Sequence, residues 1–127
     1  MHATFCRRDG WVPLCGHTAG LARGEPGYCG LYGGHQFARD CAYHNGTIWP
    51  WPMGAFLSAY LKVNGRSEKA KEQCRTWLQP LIDHMEENCL GQIAEIFEAE
   101  EPHRPVGCCA QAWSVAEVLR LAVELDM

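Results

Sequence analysis

Hydrophobic residues recur at helical spacing in three stretches of the second half of the chain. The run from 52 to 63 is apolar at almost every position, and the run from 110 to 125 has only a narrow charged stripe. The run from 67 to 88 carries apolar residues on one side and charges on the other, which is typical of a helix with one wet face. The pattern predicts three helices, the first and third buried on most sides. Asn64-Gly65 leaves a short connection, so we expect the first two to be antiparallel.

The residues before about 43 are rich in glycine and show no lasting helical period. They predict a long glycine-rich loop with a short turn of helix near 37–41. Such a segment is uncommon inside a complete small domain, so we interpret it as a loop of a larger domain. Asn45-Gly46 predicts a turn, because both residues tolerate positive φ.

The segment between the second and third helices has two parts. Residues 90–97 are short, apolar and led by a glycine, so they can form an extended segment. Residues 98–105 are charged and bounded by prolines, which predicts a loop. The acidic side chains of that loop are predicted to be solvated, namely Glu98, Glu100 and Glu101.

The stretch from His44 to Trp51 mixes polar and aromatic residues. Trp49 and Trp51 place flat apolar faces beside hydrogen-bonding groups such as His44 and Asn45. That combination suits a sugar ring, which has an apolar C–H face and a rim of hydroxyls. From the residues alone, a helix start with buried tryptophans is the preferred interpretation.

Size and charge narrow the class of protein. A length of 127 residues is enough for one ordinary domain, and the formal net charge of −4 does not favour nucleic-acid binding. No apolar run is long enough to cross a membrane. Residues 1–10 lack the apolar core of a secretory signal, so we expect a cytoplasmic protein.

The eight cysteines allow two interpretations. In a cytoplasmic protein they are reduced thiols, several of them acting as small buried hydrophobic residues. The alternative is a small zinc-binding Cys/His module. Against it, the early cysteines lack a C-x-x-C spacing, and the adjacent pair Cys108-Cys109 is an awkward geometry for two tetrahedral ligands. The preferred interpretation therefore has no metal and no cofactor.

Three blocks of sequence resemble one family. They are the residues from Tyr32 to Trp51, the run Gly91-Gln92-Ile93-Ala94-Glu95-Ile96-Phe97, and the residues from Pro102 to Arg120. In this order they resemble the C-terminal glucosidase part of glycogen-debranching enzymes of the amylo-α-1,6-glucosidase type. The resemblance assigns residues 15–127 to that domain and leaves residues 1–14 unmatched.

The resemblance implies an all-α fold, an (α/α)6 toroid with its active site at one end of the inner helices. The chain then supplies the last three helices, preceded by the glycine-rich loop. The helices at 52–63 and 110–125 are inner, and the helix at 67–88 is outer. Without the rest of the toroid, the two apolar helices are expected to expose a hydrophobic face and to favour self-association.

The implied chemistry is hydrolysis of the α-1,6-linked glucose at a glycogen branch. Inverting hydrolysis needs an acid and a base about 6.5–9.5 Å apart. The resemblance places the base at Glu95, although an exposed glutamate at a strand edge is the plainer interpretation of that residue. The aspartate that serves as the acid comes from a segment that no stretch of this chain matches. We therefore expect little or no activity from the chain alone.

The remaining candidates surround this glutamate. The resemblance places His44 and Asn45 on sugar hydroxyls, and Trp49 and Trp51 at the wall of the glucose pocket. It also places Gln111 near the pocket.

Three further residues have open roles. Asp40 either binds sugar, braces a loop or pairs with an arginine. Arg104 either braces Glu95, binds substrate or forms a surface ion pair. For Trp113, packing in the core is preferred.

Three functions remain as candidates. The first is the C-terminal part of a debranching glucosidase, with an α-glucan or glycogen branch as substrate and the rest of the toroid as partner. The second is a non-catalytic remnant that binds glucan or another subunit. The third is the zinc module.

Overall fold

The computed structural model describes residues 21–88 and 90–127 and is mostly helical. Its helices and strands, in chain order, are α1 (Gln36–Asn45), α2 (Pro52–Val63), α3 (Glu68–Glu87), β1 (Ile96–Phe97), β2 (Pro105–Val106) and α4 (Ala112–Glu124). The three helices predicted from hydrophobic spacing are all present. The bounds of α2 match the prediction, whereas α3 and α4 are shorter than predicted by one or two residues at each end.

The α2–α3 hairpin follows the local sequence signals. The chain turns at Gly65, whose φ of +62° favours glycine. Ser67 then caps α3, with its hydroxyl accepting a hydrogen bond from the Ala70 amide at 3.3 Å. The middle of α2 faces the middle of α3, where the buried Cys74 thiol lies 4.0 Å from the Leu57 carbonyl oxygen. The two helices are therefore antiparallel neighbours, as predicted.

Helix α4 packs on α2 through a close approach and a polar seam. A Cβ added at Gly54 would lie 2.9 Å from the Glu117 Cβ, closer than such atoms normally come, so glycine allows the two helices to approach here. Farther along, Ser58 donates to Glu124 at 2.9 Å, and Arg120 donates to the same carboxylate at 3.0 Å. The hydrogen bond from Arg66 is the largest cause that lowers the pKa of Glu124, and the bonds from Ser58 and Arg120 lower it further. The seam fixes α4 relative to α2.

A two-stranded hairpin closes the opposite side of the core. Strands β1 and β2 are antiparallel, with Ile96 opposite Val106, and Ile48 forms a further bridge to Phe97. The core lies between this hairpin and the helices. Its fully buried large side chains include Leu57, Leu61, Leu78, Leu81, Ile93, Ile96, Phe97, Leu121 and Leu125.

The region before α2 departs from the predicted loop. Gln36–Asn45 forms a ten-residue helix, where only a short turn near 37–41 was expected. Hydrophobic spacing missed α1 because the helix is largely polar and buries only Ala42. The part of the predicted loop in residues 1–20 lies outside the described residues.

The prediction that Glu98 is solvated is wrong. Glu98 is 1% exposed. Arg104 binds its carboxylate through two bonds of 2.8 and 3.0 Å, and the Tyr32 amide donates to it at 3.1 Å. A buried carboxylate is tolerated because these donors replace the lost water. Glu98 therefore ties the segment before α1 to the hairpin.

Part of the apolar surface is uncovered. Leu119 and Val123 on α4 are 65% and 74% exposed, and Val63 at the end of α2 is 85% exposed. The expectation that both helices are buried on most sides therefore does not hold for the described residues alone.

Within the described residues, no helix is long and apolar enough to span a membrane.

Gly46 offers a test of how α1 is anchored. The predicted turn is present at Gly46, but its φ of −174° is extended. Glycine is needed there for space, because an added Cβ would lie 2.1 Å from the Cys29 carbonyl oxygen. Gly46→Ala should lower the free energy of unfolding by about 1–3 kcal/mol, the usual cost of overpacking. Urea denaturation followed by circular dichroism measures this.

Gly33→Ala is the matched control, because an added Cβ there meets no atom within 4 Å. Its effect should stay within about 0.5 kcal/mol. Equal stability of the two variants would contradict the close approach at Gly46.

Candidate functional site

The Glu95 carboxylate accepts hydrogen bonds from three residues, one on α1 and two at or just before the start of α4. The Tyr43 hydroxyl, on α1, donates to Oε1 at 2.7 Å. The Gln111 side-chain amide, at the start of α4, donates to the same oxygen at 3.2 Å. The Cys108 backbone amide donates to Oε2 at 3.0 Å. Such donors fix the orientation of a carboxylate.

The backbone around Glu95 is held as firmly as its side chain. The Glu95 amide donates to the Cys108 carbonyl at 2.8 Å, and the Gln111 amide donates to the Ile93 carbonyl at 2.8 Å. On the other side, the Ala94 amide donates to His84 Nε2 at 3.2 Å. Because Nε2 accepts, a neutral His84 carries its proton on Nδ1. Burial lowers the pKa of His84, which favours this neutral form.

Gly107 allows the loop to come close to the carboxylate. Its φ is +73°, a conformation that favours glycine. A Cβ at this position would lie 2.7 Å from Glu95 Oε2. Glycine is therefore required here both for its backbone conformation and for the space it leaves to Glu95.

A row of aromatic rings begins at Tyr43 and leads away from Glu95. Trp49 meets the Tyr43 ring edge to face, with centroids 4.6 Å apart, and its indole nitrogen donates to the Tyr43 carbonyl at 3.3 Å. Trp113 lies 6.0 Å from Trp49 and 5.8 Å from Trp51, measured between ring centroids. The site thus combines a fixed carboxylate with a continuous aromatic wall.

The hydroxyl of Tyr43 remains a donor at neutral pH. Burial, the hydrogen bond to Glu95 and the negative charge of Glu95 together raise the pKa of Tyr43 from 10.0 to about 12. A phenolate beside the carboxylate would bring two negative charges together, which is unfavourable. Tyr43 therefore remains a hydrogen-bond donor to Glu95 Oε1.

A family model for amylo-α-1,6-glucosidase matches residues 13–120 of the chain. The chain belongs to this family. Glu95, Tyr43, Cys108 and Gln111 all lie within the matched range, so the family supports a glycogen-debranching type of glucosidase domain. No solved structure matches the chain.

For this glucosidase domain, the structure brings together some of the residues predicted for the site. Trp49 and Gln111 lie in or beside the network around Glu95, and Trp51 extends the wall. His44 is exposed and packs edge-on against Tyr43 at 5.1 Å, while the Asn45 carbonyl accepts from the Cys29 amide at 3.3 Å.

Two other predicted residues lie on the surface. Asp40 is exposed on α1. Arg104 forms an ion pair with Glu98 and not with Glu95, so it does not brace Glu95 directly. The pair differs from the predicted surface ion pair, because the Glu98 carboxylate is buried.

Two features of the site around Glu95 were not predicted from the sequence. The Tyr43 hydroxyl and the Cys108 amide both hold Glu95, although neither was named as a partner of that residue. Spacing within α1 gave no signal, since α1 itself was not predicted. Trp113, expected in the core, is 50% exposed and links Trp49 to Trp51, so that expectation is wrong.

The zinc alternative receives no support from the described part of the chain. No group of three or more His, Cys, Asp or Glu residues there is arranged to hold a metal ion. The described cysteines are free thiols, namely Cys29, Cys41, Cys74, Cys108 and Cys109. The remaining cysteines, Cys6, Cys15 and Cys89, lie outside the described residues.

Titration of Tyr43 tests the contact with Glu95 directly. Glu95→Gln removes the negative charge, so the pKa of Tyr43 should fall below about 12 but stay above 10.0, because the tyrosine remains buried. Ultraviolet absorbance of tyrosinate measures the transition, over the pH range in which circular dichroism shows a folded chain. Tyr43→Phe identifies which transition belongs to Tyr43.

The exposed Glu101→Gln is the matched control and should leave the transition of Tyr43 in place. If Glu95→Gln also leaves the pKa of Tyr43 unchanged, the hydrogen bond between the two side chains is absent in solution.

Proposed function

We propose that the chain forms the base-bearing part of an amylo-α-1,6-glucosidase, which releases the α-1,6-linked glucose at a branch of glycogen or a related α-glucan. Glu95 is the general base in this proposal, and the hydrolysis is inverting. The observation that carries the proposal is the Glu95 carboxylate itself, held by three donors beside an aromatic wall within the family-matched range.

The hydrogen-bond pattern suggests which oxygen acts on water. Oε1 accepts from both Tyr43 and Gln111, whereas Oε2 accepts from the Cys108 amide. A carboxylate oxygen has lone pairs for about two such bonds. Oε2 therefore retains capacity to accept a proton from an attacking water. Tyr43 and Gln111 hold the other oxygen and so set the direction in which Oε2 points.

The aromatic wall has a complementary role. The glucose to be released packs its apolar C–H face against Tyr43 and Trp49. Holding the sugar and the water in the reactive geometry lowers the entropic cost of reaching the transition state. His44 and Asn45, at the end of α1, supply hydrogen bonds to the sugar hydroxyls, and Asp40 on the same helix is a further candidate.

The proposal extends to the architecture. Helices α2 and α4 are inner helices of an (α/α)6 toroid, and α3 is an outer helix. The exposed apolar positions Val63, Leu119 and Val123 then face other helices of the glucosidase domain, of which residues 15–127 form the C-terminal part. A second carboxyl group, the acid, comes from another part of that domain. On its own the chain is expected to release little glucose, and its site of action is the cytoplasm.

A chimera tests this proposal. The chain replaces the matching C-terminal part of a complete amylo-α-1,6-glucosidase, and glucose release is measured from a branched α-1,6 dextrin. Glu95→Gln keeps the shape of the side chain and removes the base. Loss of general-base help should lower kcat by about two to four orders of magnitude.

Glu101→Gln in the same chimera is the control, since Glu101 is exposed on the loop between the strands. It should keep nearly full activity. Near-full activity of the Glu95→Gln chimera would show that Glu95 is not the base. If the Glu95→Gln and Glu101→Gln chimeras both retain full activity, the chain has a non-catalytic role, such as glucan binding.

A further inference from the structure

Two large indole rings lie side by side on the surface next to the Glu95 site. Trp51 is 42% exposed and Trp113 is 50% exposed, and their centroids are 5.8 Å apart with the planes tilted by 44°. Trp51 immediately precedes α2 and Trp113 lies in the first turn of α4, so adjacent helix starts hold the two rings. Their placement therefore depends on the packing of α2 against α4.

Trp51 and Trp113 are more exposed than another tryptophan, Trp77. Trp77 lies between Phe56 and Tyr60, with centroid distances of 5.7 and 4.8 Å, and packs against the core. Burial of such a ring normally stabilises a fold. The fold partly buries Trp77 against the core and leaves about half of Trp51 and Trp113 exposed.

We propose that Trp51 and Trp113 form a binding site for a second glucose unit of the α-glucan, adjacent to the unit held at Tyr43 and Trp49. The nature of the sugar rests on the proposed function. Trp49 joins the two sites, because it contacts Tyr43 on one side and lies 6.0 Å from Trp113 on the other. The new site therefore continues the aromatic wall outward from Glu95.

The glucan is a better occupant of this surface than another helix of the domain. Both rings lie at the ends of their helices that are nearest Glu95, since α4 begins directly after Gln111. The face proposed to pack on other helices lies farther along α4, at Leu119 and Val123. Indole faces bind the apolar side of a sugar, and their edges tolerate its hydroxyls. An aliphatic stripe offers no such combination.

The length of the bound sugar determines which of the two sites it can occupy. A single glucose reaches Tyr43 and Trp49 alone, whereas a branched oligosaccharide also covers Trp51 and Trp113. The second site should therefore discriminate between glucose and longer α-glucans. In the chimera, its loss should raise KM for a branched dextrin and leave kcat nearly unchanged, because it does not touch the reacting atoms.

The experiment follows the indole N–H signals of the 15N-labelled chain during titration with glucose and with a branched maltooligosaccharide. The signals of Trp51 and Trp113 should shift with the oligosaccharide and stay in place with glucose. Trp113→Ala, and separately Trp51→Ala, should weaken binding of the oligosaccharide by about threefold to tenfold. The Trp77 signal should stay unchanged as an internal control.

Phe37→Ala is the matched control variant, because Phe37 is an aromatic residue of α1 that is 72% exposed. It should bind the oligosaccharide as the unmodified chain does, and circular dichroism checks that each variant is folded. The proposal is overturned if the oligosaccharide leaves the Trp51 and Trp113 signals unmoved, or if both alanine variants bind it unchanged.

This test is independent of the role of Glu95. Glu95→Gln should leave oligosaccharide binding at the two tryptophans intact. A failed proposal for the base therefore shows in the hydrolysis assay alone, whereas a failed proposal for the second sugar site shows in the titration and in an unchanged KM of the Trp113→Ala chimera.

Discussion

The structure around the site depends on one carboxylate, Glu95, that is held from three directions. Its donors come from α1, from the loop after β2 and from the start of α4. Tyr43 is 52 residues from Glu95 in the sequence, and Cys108 and Gln111 are 13 and 16 residues from it, so the network forms only when the helices and the hairpin are packed together. His84 on α3 adds a fourth element, since it holds the backbone one residue before Glu95. Contacts from α1, α3, the loop after β2 and the start of α4 therefore fix the position of Glu95.

The geometry also explains several residues that would otherwise appear incidental. Gly107 leaves space for Glu95 Oε2, and Gly54 lets α4 approach α2. Glu98, paired with Arg104, joins the segment before α1 to the hairpin that carries Glu95. Each of these contacts lies outside the wall of aromatic rings, yet each fixes an element on which that wall or the carboxylate depends.

Much of the helical fold could be predicted from the sequence, because α2, α3 and α4 have strong hydrophobic periods and clear end signals. Ser67 and Gly65 act as their residue types suggest. Helix α1 could not be predicted in the same way, since it buries only Ala42 and its position is set by contacts with distant segments. Periodicity detects burial along one element and has no access to such contacts.

The site was predicted less completely, for a related physical reason. The resemblance pointed to Glu95, Trp49 and Gln111, which the structure places close together. It could not show that Tyr43 donates to Glu95, because that bond joins residues 52 positions apart. The same limit explains the errors at Arg104 and Trp113. A charged residue beside a loop and an apolar residue in a helix have several possible neighbours, and tertiary packing alone selects among them.

The central claim is that Glu95 activates a water molecule for direct displacement at the sugar. The anomeric form of the first glucose released tests it most directly, because inverting hydrolysis of an α-linkage yields β-glucose. Proton NMR spectra of the chimera acting on a branched dextrin, recorded before the anomers interconvert, resolve the two forms. The account predicts β-glucose as the initial product. Initial release of α-glucose would contradict it, since retention requires a covalent intermediate and a different role for the carboxylate at position 95.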